Sequence, residues 1–172
     1  MLRILSLICV LAAAPAAALD RWSFDSIDGG PLEISGTGPV LIVNTASRCG
    51  FTKQYDGLQA LYDRFANEGL TVLAVPSNDF RQELGSEEQV KSFCEVNFGL
   101  TLPMTTITPV TGPDAHPFYT WLRDTHGIEP NWNFNKVLIG TDGQFVAYWG
   151  SSTRPMSRPI VEAIEQELTR TR

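Results

Sequence analysis

The chain has 172 residues, of which 43% are hydrophobic and 10% aromatic, so it can bury one sizeable core and a single domain is expected. Its formal charge is −6, with 13 basic and 19 acidic residues. Because the basic residues are scattered along the sequence and form no stripe, the composition argues against nucleic acid as a partner.

Residues 1–18 have the pattern of a secretory signal peptide. Arg3 precedes an apolar run from Ile4 to Ala14, and small residues precede a predicted cleavage after Ala18. Pro15 and the alanines leave fewer strongly apolar residues than the roughly 20 that a membrane span needs, so no stable anchor is expected, with a retained anchor as the alternative. We therefore expect an exported protein, periplasmic if the source is a Gram-negative bacterium and secreted otherwise.

Cleavage would remove Cys9 and leave a mature chain, 19–172, with two cysteines, Cys49 and Cys94. Exported proteins fold in compartments that tolerate disulfides. The two cysteines therefore either form a permanent disulfide or cycle between reduced and oxidised states.

Apolar runs alternate with helix-period stretches along the mature chain, which indicates an α/β organisation. An N-terminal β-hairpin is predicted in "WSFDSIDGGPLEI", with Gly29, Gly30 and Pro31 at its turn. Strands are predicted over 39–47, 70–77, 135–141 and 144–150, the last two joined by an Asp142-Gly143 turn, and helices over 54–67, 87–97, 115–125 and 158–169. This order is expected of a thioredoxin-like fold, a central mixed β-sheet flanked by helices, although other α/β folds share parts of it.

Cys49 lies between the first central strand and a helix predicted to begin near Thr52 or Lys53. Free backbone amides and the dipole at a helix N-terminus favour an anion, so this position favours a thiolate. With Arg48 and Gly50 as neighbours, Cys49 is also less expected in apolar packing than a cysteine inside an apolar run. From position alone, a reactive thiol and an inert packing residue both remain open.

Four separated segments share one resemblance: "NTASRCGFTKQYDGLQALY", "AVPSNDFRQELGS", "DAHPFYTWL" and "WNFNKVLIG". Each is similar to a block of the glutathione peroxidase family in its cysteine-containing form, with Cys49 where the animal selenoenzymes carry selenocysteine. The resemblance extends from about Phe24 to Gln166 and implies a thioredoxin fold. It also implies a thiol peroxidase whose catalytic residues are Cys49, Gln82, Trp132 and Asn133.

These residue types suit the cleavage of a peroxide O–O bond. A thiolate attacks one oxygen, and hydrogen-bond donors stabilise the charge that develops on the other. The amides of Gln82 and Asn133 and the indole N–H of Trp132 are donors that do not compete for a thiol proton. Trp132 and Asn133 are consecutive, so both reach one site only where the strand begins irregularly, and Pro130 makes this plausible.

The second block departs from the family pattern. It is one residue shorter than the family's usual loop, with Asp79 where a glutamine is common and Leu84 where a proline is common. The sequence therefore leaves the placement of Gln82 open.

Cys94 determines how the reduced form of such an enzyme would be regenerated. Attack on a peroxide leaves a sulfenic acid that condenses with a thiol, and Cys94 lies close to where thiol-dependent family members carry a resolving cysteine. The alternative is core packing, since Phe93 and Cys94 lie on an apolar helix face. With a resolving cysteine, the resemblance favours a thioredoxin-like protein as the reductant, with glutathione as the second choice.

Other site types have little support in the sequence. His116 and His126 lie at the two ends of one predicted helix and are expected to cap it or to face solvent. No metal-ligand spacing and no glycine-rich phosphate loop is present, so neither a metal nor another cofactor is expected. Two alternatives to the peroxidase remain: a thiol-disulfide exchange protein, which Thr52 disfavours because it breaks the C-x-x-C spacing, and a non-catalytic secreted domain with a structural disulfide.

The substrate and the assembly follow from the resemblance. The short "THGIEPNWN" connection resembles the smaller family members and suggests an open site for hydrogen peroxide, organic hydroperoxides or lipid hydroperoxides. Those members lack the inserted loop of tetrameric forms, so a monomer or weak dimer is expected.

Overall fold

The computed structural model describes residues 22–34 and 38–170. The predicted signal peptide, with Cys9, lies outside the described residues. Within them, no helix combines the length and apolar character needed to cross a membrane.

The predicted elements are confirmed, and their ends shift by about two residues at most. The strands are β1 (Trp22–Asp25), β2 (Pro31–Ile34), β3 (Val40–Thr45), β4 (Thr71–Pro76), β5 (Lys136–Ile139) and β6 (Phe145–Trp149). The helices are α1 (Gln54–Phe65), α2 (Glu87–Phe98), α3 (Pro117–His126) and α4 (Arg158–Arg170), and a 3₁₀ turn, Ala66–Glu68, follows α1. Pro31, predicted in the hairpin turn, is the first residue of β2.

The central sheet is mixed and has the strand order β4-β3-β5-β6. β3 pairs in parallel with β4 and antiparallel with β5, and β5 pairs antiparallel with β6. β1 and β2 form a separate antiparallel pair, as predicted for the N-terminal hairpin.

Helices cover both faces of this sheet. On one face, Leu41 and Val43 of β3 pack with buried residues of α1, α2 and α4. On the other, Val40 and Ile42 pack with α3 and the β1–β2 hairpin. Burial on both faces explains why β3 is a continuous apolar run before its polar end.

The strand directions bring the predicted site residues to one edge of the sheet. β3 and β4 are parallel, so the loops after them, which carry Cys49 and Gln82, leave the same edge. β5 runs in the opposite direction, so the segment before it, which carries Trp132 and Asn133, lies at that edge as well. The candidate site therefore follows from sheet topology.

Candidate active site

Cys49 lies in a series of turns between β3 and α1. The Cys49 amide donates to Ala46 O at 3.4 Å, and the Cys49 carbonyl accepts from the Thr52 amide at 3.2 Å. These turns direct Arg48 and Gly50 to solvent and Cys49 inward, where it is 4% exposed and part of an apolar cluster. The expectation that Cys49 avoids apolar packing was therefore wrong. The helix begins at Gln54, the first residue of the predicted range 54–67, with Lys53 as its N-cap residue.

The loop that carries Gln82 is hydrogen-bonded to the Cys49 loop. The Arg48 amide donates to the Gln82 carbonyl at 2.8 Å. The Ser47 amide donates to Glu83 Oε1 at 3.0 Å, and the same oxygen accepts from the Leu84 amide at 2.8 Å. Arg81 takes the left-handed conformation, with φ 58°. This turn allows the shortened loop to reach the Cys49 loop.

Asn44, at the end of β3, holds the segment that precedes β5. Its Nδ2 donates to Trp132 O at 2.9 Å, its Oδ1 accepts from the Asn135 amide at 3.0 Å, and its carbonyl accepts from the Phe134 amide at 2.5 Å. Phe134 has a φ of 62°, which is unusual for an aromatic residue. The irregular start predicted for this strand is therefore confirmed.

Gln82 and Asn133 meet directly. Asn133 is fully buried, and its Nδ2 donates to Gln82 Oε1 at 2.9 Å. Asn133 Oδ1 is also buried and meets no hydrogen-bond partner among the described residues. The sequence predicted Asn133 as a donor, but in the structure its Nδ2 binds Gln82. This bond orients the Gln82 amide so that its own NH₂ group remains the donor.

Trp132 lies on the outer side of the same turn. It is 40% exposed, and its ring lies 5.4 Å from that of Phe80 in the Gln82 loop. Asn133 points inward while Trp132 remains partly in solvent. The structure thus brings together the segments of Cys49, Gln82, Trp132 and Asn133, with an exposed aromatic ring at the rim, a half-buried Gln82 and a buried Asn133 amide.

A buried lysine supports this arrangement from β5. Lys136 is fully buried, and its Nζ donates to Gln54 Oε1, to Thr153 O at 2.6 Å and to Ser151 O at 3.4 Å. Burial lowers the pKa of Lys136 to about 7. Ser151 Oγ in turn donates to the Asn133 carbonyl at 2.6 Å. The lysine therefore connects the start of α1 to the loop after β6, and that loop holds Asn133.

Cys94 lies on α2 in the same apolar cluster as Cys49 and is fully buried. It interacts with Tyr55 of α1, and burial raises the pKa of the Cys94 thiol to about 12. Both cysteines are free thiols. A Cys49–Cys94 disulfide, which the structural-disulfide alternative requires, does not exist in this state.

Sequence reasoning missed Asn44, Glu83 and Lys136. Asn44 and Lys136 could have been noticed as polar residues at the ends of apolar strand runs. Glu83 lies in a charged loop where no pattern separates it from its neighbours. Glu83 is buried because of how that loop folds, which no local sequence pattern indicates.

The histidines take part in structure outside the candidate site. His116 caps α3, since its Nδ1 accepts from the Phe118 amide at 3.2 Å, and its ring stacks on Phe24 at 3.8 Å. His126 lies in the last turn of α3. Within the described residues, 22–34 and 38–170, no group of three or more His, Cys, Asp or Glu residues is arranged so that it could hold a metal.

Comparison with known proteins gives one consistent family. The sequence model of that family, described as "Glutathione peroxidase", matches residues 23–123. A hydroperoxy fatty acid reductase of Synechocystis sp. is 43% identical over 147 residues, which cover 78% of this chain and 87% of the relative. A glutathione peroxidase-like peroxiredoxin of Saccharomyces cerevisiae is 41% identical over 137 residues, which cover 75% and 82%.

Solved structures agree on the fold. The crystal structure of GPX1 from T. cruzi matches with a TM-score of 0.64 and 29% identity, covering 86% of this chain and 94% of the other. A thiol:disulfide interchange protein of the thioredoxin family from Chlorobium tepidum matches with a TM-score of 0.64 at 15% identity, covering 91% and 99%. At that identity the second match shows the fold alone. The predicted thioredoxin-like fold is confirmed.

Replacement of Asn44 tests its support of the turn before β5. We expect Asn44→Ala to lower the free energy of unfolding by about 1–3 kcal/mol, because it leaves the buried Asn135 amide without its partner and removes one of the two donors to the Trp132 carbonyl. Asn44→Asp keeps the acceptor for the Asn135 amide but turns a buried carboxylate oxygen towards the Trp132 carbonyl, so it should also lose stability. Urea denaturation of the three proteins measures both effects. Equal stability of Asn44→Ala and wild type would contradict this role.

Lys136 should make stability depend on pH. Between its folded pKa of about 7 and its ordinary value of 10.5, the unfolded chain holds the lysine charged and the folded chain holds it neutral. The unfolded state then binds more protons, so stability rises with pH across this window and is lost as the pH falls towards 7. Thermal unfolding of wild type and Lys136→Met measures the difference. Parallel curves from pH 7 to pH 10 would contradict a depressed pKa.

Proposed function

The chain belongs to the glutathione peroxidase family and is a peroxidase, and we propose that it reduces hydroperoxides through the Cys49 thiolate, with Cys94 as the resolving thiol. One observation carries the proposal: the Gln82–Asn133 hydrogen bond, at 2.9 Å, joins two loops at the sheet edge from which the Cys49 loop also leaves. Hydrogen-bond donors at this edge can stabilise the charge that develops when the O–O bond breaks.

The first step oxidises Cys49. The thiolate sulfur bonds to the terminal oxygen of the hydroperoxide, the O–O bond breaks, and the alkoxide leaves as an alcohol after it takes up a proton. The products are a Cys49 sulfenic acid and the alcohol. The free NH₂ group of Gln82 and the indole N–H of Trp132 stabilise the departing alkoxide.

The second step regenerates the enzyme. The Cys94 thiol attacks the Cys49 sulfenic acid, a disulfide forms and water leaves. A dithiol protein of the thioredoxin type then reduces the disulfide, with glutathione as the alternative reductant. Since bridging needs Cα atoms within about 7 Å and Cys94 is fully buried on α2, the proposal includes a movement of α2 during each cycle.

The distribution of paired and unpaired cations supports an anionic substrate. Away from the site, the basic side chains form ion pairs: Arg64, Lys91, Arg123, Arg158 and Arg170. On the loops of the candidate site, the exposed basic residues form no ion pair with a described residue: Arg48, Lys53, Arg81 and Arg154. An acidic chain thus presents a positive face around Cys49, which attracts anions.

A groove beside Cys49 combines two of these cations with apolar surface. It has a volume of about 590 Å³, and its lining includes Phe51, Pro155 and Met156 together with Lys53 and Arg154. Phe51 and Met156 are exposed large hydrophobic residues. This chemistry suits a fatty-acid hydroperoxide, whose chain packs on the apolar side chains while its carboxylate pairs with the cations. The printed activity of the Synechocystis relative favours the same substrate class.

The proposal includes the location and assembly expected from the sequence. The pattern of residues 1–18 supports export, and the free cysteines then function in the compartment to which the mature chain is delivered. The protein would act as a monomer or weak dimer, because its short "THGIEPNWN" connection resembles the smaller family members, which lack the inserted loop of tetrameric forms.

Intact-mass measurement of the reduced protein tests the roles of the two cysteines. After one equivalent of hydroperoxide, we expect wild type to lose two hydrogens and Cys94→Ser to gain one oxygen. Cys49→Ser should keep its mass, because the fully buried Cys94 thiol is protonated at neutral pH. An unchanged wild-type mass would contradict the peroxidase chemistry, and oxygen added to Cys49→Ser would contradict the assignment of Cys49.

Kinetics with matched substrates tests the groove. In the double variant Lys53→Gln/Arg154→Gln we expect KM for a fatty-acid hydroperoxide to rise roughly two- to thirtyfold, because each of the two exposed charge pairs contributes ~0.2–1 kcal/mol. KM for its methyl ester and the rate with hydrogen peroxide should not change. Arg158→Gln, which removes an exposed cation that already has a partner, is the control. An equal loss with acid and methyl ester would contradict carboxylate recognition.

A further inference from the structure

The groove beside Cys49 lies between two segments that are far apart in the sequence. One wall consists of residues between 50 and 57, at the start of α1, and the other of residues between 152 and 156, in the loop after β6. The walls meet at one end, where a Cβ atom on Gly57 would lie 3.3 Å from Pro155 Cβ and glycine therefore allows close contact. Elsewhere their separation depends on hydrogen bonds.

Lys136 joins the two walls from β5. Leu138, two residues further on, packs in the cluster that contains α1, so the alternation of a strand places Lys136 on the same side of the sheet. Lys136 Nζ donates to Gln54 Oε1 in one wall and to Thr153 O, at 2.6 Å, in the other. Gln54 Nε2 also donates to Ser151 O at 2.7 Å, an oxygen that Lys136 Nζ reaches at 3.4 Å.

These bonds lie next to the cations of the groove. Gln54 follows Lys53, and Thr153 precedes Arg154. Both cations line the groove. A hydrogen bond to the neighbouring residue restricts the main chain that carries each cation. Lys136 therefore affects where the carboxylate of a fatty-acid hydroperoxide would meet its two partners.

The same loop holds the buried amide of the candidate site. Ser151 Oγ donates to Asn133 O at 2.6 Å, and Asn133 Nδ2 donates to Gln82 Oε1 at 2.9 Å. Asn135 Nδ2 lies 3.4 Å from Ser151 Oγ and adds a second contact to this hydroxyl. A series of hydrogen-bonded residues thus leads from Lys136 through Ser151 and Asn133 to Gln82.

The burial of Lys136 indicates that its hydrogen bonds have a role. The side chain is fully buried, and its three acceptors are uncharged amide and main-chain oxygens. An apolar side chain of similar length, such as that of methionine, would fill the same space without the cost of taking an amino group out of water. It would not connect three specific oxygen atoms in two segments.

We propose that Lys136 is a positioning residue for both parts of the candidate site. It fixes the separation of the groove walls, and through Ser151 it holds Asn133 against Gln82. Because Lys136 is fully buried, it acts on the substrate through these partners. The inference deepens the proposed function and rests on it, since it links recognition of the fatty-acid chain to the orientation of the amide donors.

The rate constant for oxidation of Cys49 separates the two effects when two substrates are compared. Reduced protein is mixed with a fatty-acid hydroperoxide or with hydrogen peroxide and quenched with acid, and the oxidised fraction is measured by mass. Both substrates need the amide donors, whereas only the fatty-acid hydroperoxide needs the groove. The rate constant with hydrogen peroxide therefore reports on the donors, and the ratio of the fatty-acid rate constant to it reports on the groove.

Ser151→Ala tests the contact with Asn133 alone. It removes the hydroxyl and keeps the main-chain oxygen that Gln54 and Lys136 bind. We expect both rate constants to fall roughly two- to tenfold, the range for loss of one hydrogen bond, because Asn133 is held less firmly. The ratio of the two should stay at the wild-type value, because the groove walls remain joined.

Lys136→Met tests both effects together, since it keeps the length of the side chain and removes the amino group. We expect the rate constant with hydrogen peroxide to fall about as far as in Ser151→Ala. The ratio should fall as well, by roughly two- to tenfold, because Thr153 and Gln54 lose their common donor. In the double variant Lys136→Met/Ser151→Ala, the losses with hydrogen peroxide should not add, since both changes break the same series of hydrogen bonds.

Leu122→Ala is the control for loss of stability. Leu122 is fully buried in the cluster on the opposite face of the sheet, with α3. Its truncation leaves a cavity and lowers stability without a change in the groove or the amide pair. Both rate constants should match wild type at a temperature where circular dichroism shows that every variant is folded.

Different results would overturn the inference and the proposed function. If Ser151→Ala and Lys136→Met react with both substrates as wild type does, or if Leu122→Ala shows the same losses, Lys136 is only structural while the peroxidase chemistry stands. An unchanged ratio in Lys136→Met would contradict its effect on the groove. If Lys136→Met does not fold, wild-type rates in Ser151→Ala still overturn the inference. A wild-type protein that reacts with neither hydroperoxide would contradict the proposed function itself.

Discussion

The candidate site depends on how the central strand β3 ends. β3 is buried on both faces and bonded on both edges, so its last polar residues must satisfy their hydrogen bonds inside the protein. Asn44 does this by binding the Trp132–Asn135 segment through its side chain and its carbonyl. That constraint gives Phe134 its left-handed conformation and turns Asn133 inward towards Gln82. An apolar residue at position 44 would remove the side-chain bonds to Trp132 and Asn135 and leave only the main-chain bond to Phe134 from this strand.

The same edge of the sheet concentrates ionisable groups in unusual states. Lys136 lies buried among carbonyl acceptors, Glu83 is buried with one unpaired oxygen, and Cys94 is a buried thiol. Each costs free energy compared with an apolar residue of similar size. Lys136 and Glu83 hold loops of the candidate site through these hydrogen bonds, and perturbed groups tend to occur at functional sites.

Much of the fold could be predicted from the sequence, because local patterns control it. The helices and strands follow hydrophobic periodicity, and the four resembling segments predicted that Cys49, Gln82, Trp132 and Asn133 share one edge. What could not be predicted depends on the folded loops. The inward position of Glu83 arises from its hydrogen bond to the Ser47 amide, 36 positions away. The burial of Cys49 and the left-handed turn at Arg81 depend on how their loops fold. No local pattern encodes such contacts. The orientation of the Asn133 amide likewise depends on its hydrogen bond to Gln82.

The most direct test of the account is the rate constant at which the reduced protein reacts with a hydroperoxide, followed by acid quench and measurement of the mass of Cys49-oxidised protein. The account predicts that Cys49 reacts at least about a hundredfold faster than free cysteine, and that Gln82→Ala removes most of this advantage because the donor for the departing oxygen is lost. A wild-type rate equal to that of free cysteine would contradict the account. The protein would then have the fold of the family without peroxidase chemistry at Cys49.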